Sequence, residues 1–191
     1  LEEGYINAKA PKGGLQGAQI TFPKVSVGAT ENLLMAATLA NGTTTLLNAA
    51  KEPEIKDLGE CLIKMGAKIE GLGTDTIRIE GVKSLNGARH SIIPDRIETG
   101  TYIIAAGMTG GTVRLKNARI DDISAVLGYL SQAGIEVEQC GSDIVVRRNI
   151  ERLNGVDIMT EPYPGFPTDL QAQFMAMLTV ANGAGMVTET I

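Results

Sequence analysis

Two short stretches carry residues whose types and spacing could do chemistry. The first is Pro164-Gly165-Phe166-Pro167-Thr168-Asp169-Leu170-Gln171-Ala172-Gln173. Its prolines and glycine force a tight, stiff approach to whatever follows. Thr168 and Gln171 have the S/T-x-x-E/Q spacing of a capping box, which predicts a helix start with Thr168 as its cap. Asp169 then falls in the first turn, where the helix N-terminus favours an ionised carboxylate. A negative side chain is thereby held at a rigid corner, although the same residues also serve simply to cap a helix. The second stretch is Lys24-Val25-Ser26-Val27-Gly28, running from a strand end into a helix start. Backbone N–H groups there can face an anion, Ser26 adds a hydroxyl, Gly28 lets a phosphate approach closely, and Lys24 supplies positive charge. Taken alone, such a string is equally an ordinary strand-to-helix turn.

Composition narrows what these stretches could serve. A length of 191 residues suits one large domain or two small ones. Hydrophobic residues at 43% and charged residues at 20% give an ordinary globular balance. A net charge of -5 argues against a nucleic-acid surface. No window is long and apolar enough to span a membrane, and none reads as a signal peptide. Two cysteines, Cys61 and Cys140, without C-x-x-C spacing point to a reducing compartment. A single histidine, His90, argues against a His-based metal site or a Ser-His triad and receives no role. With aromatics at 4%, the core must be aliphatic; Cys61 is expected to pack in it, as are Met175 and Met177 although the two cannot face one side of a helix, and Cys140 to lie at a turn.

An internal repeat organises the elements that position the two stretches. Residues 33–50 align with residues 102–119 at an offset of 69, matching Ala36, Gly42, Leu46 and Asn48 to Ala105, Gly111, Leu115 and Asn117. A third copy begins at 174–191, with Thr179, Ala181, Asn182 and Gly183 matching Thr38, Ala40, Asn41 and Gly42. Each copy reads as a small-residue helix, a glycine stop and a β-rich run. Leu58, Cys61, Leu62 and Met65 then recur at helical spacing up to Gly66, as does the segment from Ile123 up to Gly134. Alternating strands follow at Thr76–Glu80 and Ile144–Val146, expected to be half-buried. The unit is therefore β-α-β-α-β-β, about 68 residues long, present at about 17–85 and 86–153, with a third copy begun and cut at Ile191. A hinge is expected near Ser91–Pro94.

The repeat and four strings carry a resemblance. Lys24-Val25-Ser26-Val27-Gly28-Ala29-Thr30-Glu31-Asn32, Ala49-Ala50-Lys51-Glu52-Pro53-Glu54-Ile55, Pro94-Asp95-Arg96-Ile97-Glu98-Thr99-Gly100 and Phe166–Gln173 resemble the enolpyruvyltransferase family. They are closest to its branch that takes UDP-N-acetylglucosamine as acceptor; no strings of the shikimate branch stand out. The resemblance implies an α/β fold, an inside-out α/β barrel of such units in pseudo-threefold domains with a cleft between them. Residues 1–93 would be the later part of one domain and 94–191 the start of the second. It implies transfer of the enolpyruvyl group from phosphoenolpyruvate to the sugar 3-hydroxyl in a cytoplasmic bacterial cell-wall enzyme. No metal and no organic cofactor is implied.

Carried over residue by residue, the resemblance makes Asp169 the base at the sugar hydroxyl. Lys24, Ser26, Val27 and Gly28 become contacts to the diphosphate. Ile191 touches the sugar through its backbone, although a terminal position is expected to fray. Glu52 and Arg96 support the cleft; read from the residues alone, Glu52, Glu54, Asp95, Arg96 and Glu98 are equally a solvated loop and a D-x-x-E helix cap. Leu1 in place of a methionine and a mid-strand end suggest an internal fragment. Such a fragment would lack the family's reactive-cysteine loop, have negligible turnover alone, and self-associate through unpaired strand edges. The alternatives are a shikimate-pathway acceptor, or a non-catalytic β-α repeat module that binds partners.

Overall fold

A computed structural model describes Gly4, Asn7 and residues 9–191; Leu1 lies outside the described residues. The chain divides into two compact units, the first ending at Ile92 and the second spanning Ile93–Ile191, each with its own apolar core.

The first unit runs β1 (Gln19–Thr21), α1 (Val27–Ala37), β2 (Thr43–Leu47), α2 (Pro53–Lys64), β3 (Lys68–Glu70) and β4 (Thr76–Glu80). This is the order read from the repeat. The crossover through α1 makes β1 and β2 parallel, and the sheet order is β1-β2-β4-β3, with the other pairs antiparallel. Strand β4 alternates as expected, with Ile77 and Ile79 buried between exposed Thr76, Arg78 and Glu80. Pro53 opens α2, where its fixed φ suits the first turn. Ile55, Gly59 and Leu62 turn inward to join Leu34, Leu46 and Ile77 in the core. Cys61 differs from its expected core position: it is half-buried beside that inward face.

The second unit runs α3 (Arg96–Thr109), β5 (Thr112–Leu115), a 3-10 turn (Ile120–Ile123), α4 (Ser124–Ala133), β6 (Ile135–Cys140) and β7 (Asp143–Arg148). It continues through β8 (Ile158–Met159), a second 3-10 turn (Thr168–Leu170), α5 (Gln171–Leu178) and β9 (Val187–Thr188). Strands β5, β7 and β6 form one antiparallel sheet, and β8 pairs with β9 in parallel. Three sequence expectations change here. Ile144, Val145 and Val146 are all buried, because β7 is the central strand and Val145, on the face opposite Ile144 and Val146, sits between Arg114 and Glu138 in register. Met177 is buried but Met175 is half-exposed, since two residues cannot share one helix face at that spacing. The second copy also lacks its opening strand. Residues 88–92 instead stay with the first unit, where His90 Nε2 meets Asp57 Oδ1 at 2.9 Å and His90 Nδ1 meets Lys64 Nζ at 3.0 Å. Both partners lie on α2, so this segment follows that helix rather than pairing with β5.

The repeat is written into the backbone. Asn48 and Asn117 share a left-handed conformation, at φ +58° and +55°. Gly42, Gly111 and Gly183 likewise sit at +89°, +93° and +81°. The first and third copies close alike: the Gly17 N–H donates to the Asn41 carbonyl and the Gly155 N–H to the Asn182 carbonyl, each at 2.8 Å. At both glycines an added Cβ would run into main chain, at Thr43 and at Ala184. Gly155→Ala is therefore expected to cost roughly 1–3 kcal/mol by forcing the β8 and β9 connections apart. Urea unfolding measures this, and an unchanged midpoint would contradict it.

Candidate functional site

Both chemically suggestive stretches occupy the same place in their repeats, the connection from the first strand to the first helix. The Phe22 N–H donates to the Leu47 carbonyl at 3.0 Å, and the Thr160 N–H donates to the Thr188 carbonyl at 2.9 Å. Each connection thus leaves the carboxyl end of a parallel strand pair, the end at which α/β sheets bind ligands. The two belong to different units, Lys24–Gly28 and Glu52 to the first, and Arg96, Asp169 and Ile191 to the second.

In the first unit Ser26 is the N-cap of α1, its Oγ accepting the Ala29 N–H at 3.3 Å. Helix geometry leaves the Val27 and Gly28 N–H groups without intrahelical partners. A Cβ on Gly28 would meet nothing within 4 Å, so the approach to these amides is open. Lys24 is exposed beside them. The arrangement suits an anion. The Ala50 N–H donates at 3.0 Å to the Thr30 hydroxyl, which donates at 2.7 Å to the Ser26 carbonyl. That chain of bonds draws the segment before α2 against the first turn of α1. Glu52 follows it inward: it is 6% exposed, and its Oε2 has no hydrogen-bond partner among the described residues. The solvated-loop reading therefore fails for Glu52, since Ala49 and Ala50 beside it are fully buried.

In the second unit the corner at Pro164–Thr168 is anchored by Phe166, which is 2% exposed and packs edge-on against Tyr129 and Phe174. The predicted capping box does not form. The helix begins as a 3-10 turn with Pro167 as its N-cap and no side-chain cap bond. The Thr168 hydroxyl donates instead to Glu189 Oε2 at 2.9 Å. Asp169 sits exposed on that turn. The D-x-x-E cap forms on its Asp95 side, whose Oδ1 accepts the Ile97 and Glu98 N–H groups at 2.7 and 3.1 Å; Glu98 itself is exposed. Arg96 is half-buried, its guanidinium 5.9 Å from the centre of the Tyr163 ring. A crevice between Arg96, Asp122, Ser124, Tyr163, Pro167 and Leu170 holds about 10 Å³. That is room for about one water and far below a nucleotide-sugar site.

Glu189 is the residue that sequence reasoning missed. Its Oε1 accepts the Thr160 hydroxyl at 2.7 Å and the Ile191 N–H at 2.8 Å, while Oε2 takes Thr168. Ile191, expected to fray, is tied through its main chain. The Ile191 N–H, then the Thr160 and Thr168 hydroxyls, hold the Glu189 carboxyl below its ordinary pKa. Glu189 thereby ties Thr168, the chain neighbour of Asp169, to the Ile191 main chain. The repeat held the signal, since an offset of 141, that of Thr38 to Thr179, carries Asn48 to Glu189. Asn48 closes the first copy by donating to the Phe22 carbonyl at 2.9 Å. Cys140 is half-buried at the end of β6 and takes no part.

With this geometry in hand, solved structures define the class. The enolpyruvyl transferase NikO from Streptomyces tendae superposes with a TM-score of 0.71 at 25% identity, over 84% of this chain and 40% of that one. An EPSP synthase from Acinetobacter baumannii gives 0.57 at 21% identity, over 91% and 40%, a likeness of fold alone. The fold is an α/β enolpyruvyltransferase fold. The sequence matches the EPSP synthase (3-phosphoshikimate 1-carboxyvinyltransferase) family over residues 1–191, and the chain belongs to that family. It is 63% identical over 191 residues to the UDP-N-acetylglucosamine 1-carboxyvinyltransferase of Granulibacter bethesdensis and 60% identical to that of Rhodospirillum centenum. The chain spans 45% and 44% of the length of these curated relatives. No helix among the described residues is long and apolar enough to cross a membrane.

Proposed function

We propose that the full-length protein transfers the enolpyruvyl group of phosphoenolpyruvate to the 3-hydroxyl of UDP-N-acetylglucosamine and releases phosphate, the first committed step of peptidoglycan synthesis. The carrying observation is the 63% identity along all 191 residues to a relative named for that carboxyvinyl transfer. In this reading the Val27 and Gly28 amides, the Ser26 hydroxyl and Lys24 take the diphosphate, which the open first turn of α1 supports. Asp169 accepts the proton of the 3-hydroxyl as its oxygen bonds to C2 of phosphoenolpyruvate and the methylene carbon takes up a proton. Elimination then removes a methyl proton and breaks the bond to phosphate. Ile191 offers its main chain to the sugar, and Glu52 and Arg96 each support the binding residues of their own unit. The free cysteines Cys61 and Cys140 suit the cytoplasm, and a net charge of -5 suits a protein that binds no nucleic acid.

An amide NMR titration of this chain with UDP-N-acetylglucosamine tests the reading, with shikimate 3-phosphate as the competing acceptor. Shifts are expected at Ser26, Val27, Gly28 and Asp169 with the nucleotide sugar alone. The same shifts with shikimate 3-phosphate, and none with the nucleotide sugar, would overturn it.

A further inference from the structure

We infer that Glu189 is a positioning residue that sets the Asp169 corner and the Ile191 main chain as one unit, so that both face the same acceptor. The inference rests on the acceptor site proposed above. Asp169 has no side-chain partner of its own among the described residues. Its place is set by its neighbours: Phe166 and Leu170 are buried, and Thr168 is bonded to Glu189. Glu189 is itself held at a fixed point. The Thr190 N–H donates to the Thr160 hydroxyl at 2.9 Å, and the Thr190 hydroxyl donates to the Thr160 carbonyl at 2.5 Å. Thr160 is fully buried, so this clasp fastens the end of β9 to the end of β8. A carboxylate accepts only, and its two oxygens are used by three donors, from Thr160, Thr168 and Ile191.

Comparison with the first copy sharpens the role. The matching residue there, Asn48, donates one bond back to Phe22 and closes its strand pair. In the third copy the position holds an acceptor with charge. It meets the end of the first strand as an acceptor, from the Thr160 hydroxyl, and gains reach to the helix start and the following main chain. Charge-assisted bonds of this kind are shorter and stronger than neutral ones. Because the donors lower the Glu189 carboxyl's pKa, the bonds are present above that pKa and are lost as pH falls through it.

The test uses the full-length protein. Glu189→Gln places an amide where three donors converge and is expected to lower kcat/KM for the nucleotide sugar about tenfold or more. Thr168→Val should do the same from the other side, Thr168→Ser should restore activity, and the double variant should be no worse than either single one. Glu189 is exposed, and Thr168→Val leaves it in place, so the pair guards against loss of folding. Independently of any ligand, the Ile191 amide shift should titrate below the ordinary glutamate range and lose that inflection in Glu189→Gln. Native kcat/KM in Glu189→Gln, or effects that multiply in the double variant, would overturn the inference. A wild-type protein that ignores UDP-N-acetylglucosamine while the Ile191 titration persists would fault the proposed acceptor instead.

Discussion

Asp169→Asn in the full-length protein is expected to lower kcat by about 10²–10⁴-fold, the range that loss of a positioned proton acceptor produces. The substitution keeps the shape of the side chain and removes its basicity. Asp169 is exposed and has no side-chain partner among the described residues, so folding should be nearly untouched, within roughly 0.5 kcal/mol. KM for the nucleotide sugar should move far less than kcat, because an amide still bonds a hydroxyl in the ground state. Steady-state phosphate release with both substrates, beside a thermal melt of each protein, reads the two effects separately. A kcat within about threefold of the wild type would mean that another group takes the proton, and the corner would revert to a helix start with no chemistry.

Phe166→Ala is expected to have the largest effect on stability, about 3–5 kcal/mol. Phe166 is 2% exposed, its ring centre 4.9 Å from Phe174 at 81° and 5.5 Å from Tyr129 at 88°. Both contacts are edge-on, the arrangement that adds to simple burial. Against a total of about 5–15 kcal/mol for a domain, the loss is a large fraction. The same residue holds the turn that carries Asp169, its carbonyl accepting the Glu161 N–H at 2.9 Å. Urea unfolding of the second unit should show the lowered stability, and hydrogen exchange at Asp169 and Leu170 should quicken in native buffer. A cost below about 1 kcal/mol would mean that the Tyr129-Phe166-Phe174 cluster can collapse around the gap.

The repeat was legible because its marks are local. A glycine that must take positive φ after a helix, an Ile-x-Ile alternation and a proline at the start of α2 each report on their immediate neighbours. Copies of such marks at an offset of 69 sufficed to read β-α-β-α-β-β for the first unit. Ser26 was legible as part of a helix start for the same reason, since an N-cap bonds only three residues ahead.

What failed to be legible depended on residues far apart in the chain. Thr168 has the spacing of a capping box, but its hydroxyl is taken by Glu189, 21 residues away. His90 has no role in the sequence reading, yet Asp57, 33 residues earlier, holds it against α2. The solvated reading of Glu52, one of two that its residues leave open, fails because Thr30 draws in the main chain beside it. For Thr168 and His90 the partner lies far away in the chain and the packed core brings it close, while Glu52 is carried inward by the main chain beside it. Local spacing shows which bonds a residue is able to make; the tertiary structure chooses among them, because only a folded core holds a distant donor and acceptor in place at little further entropic cost.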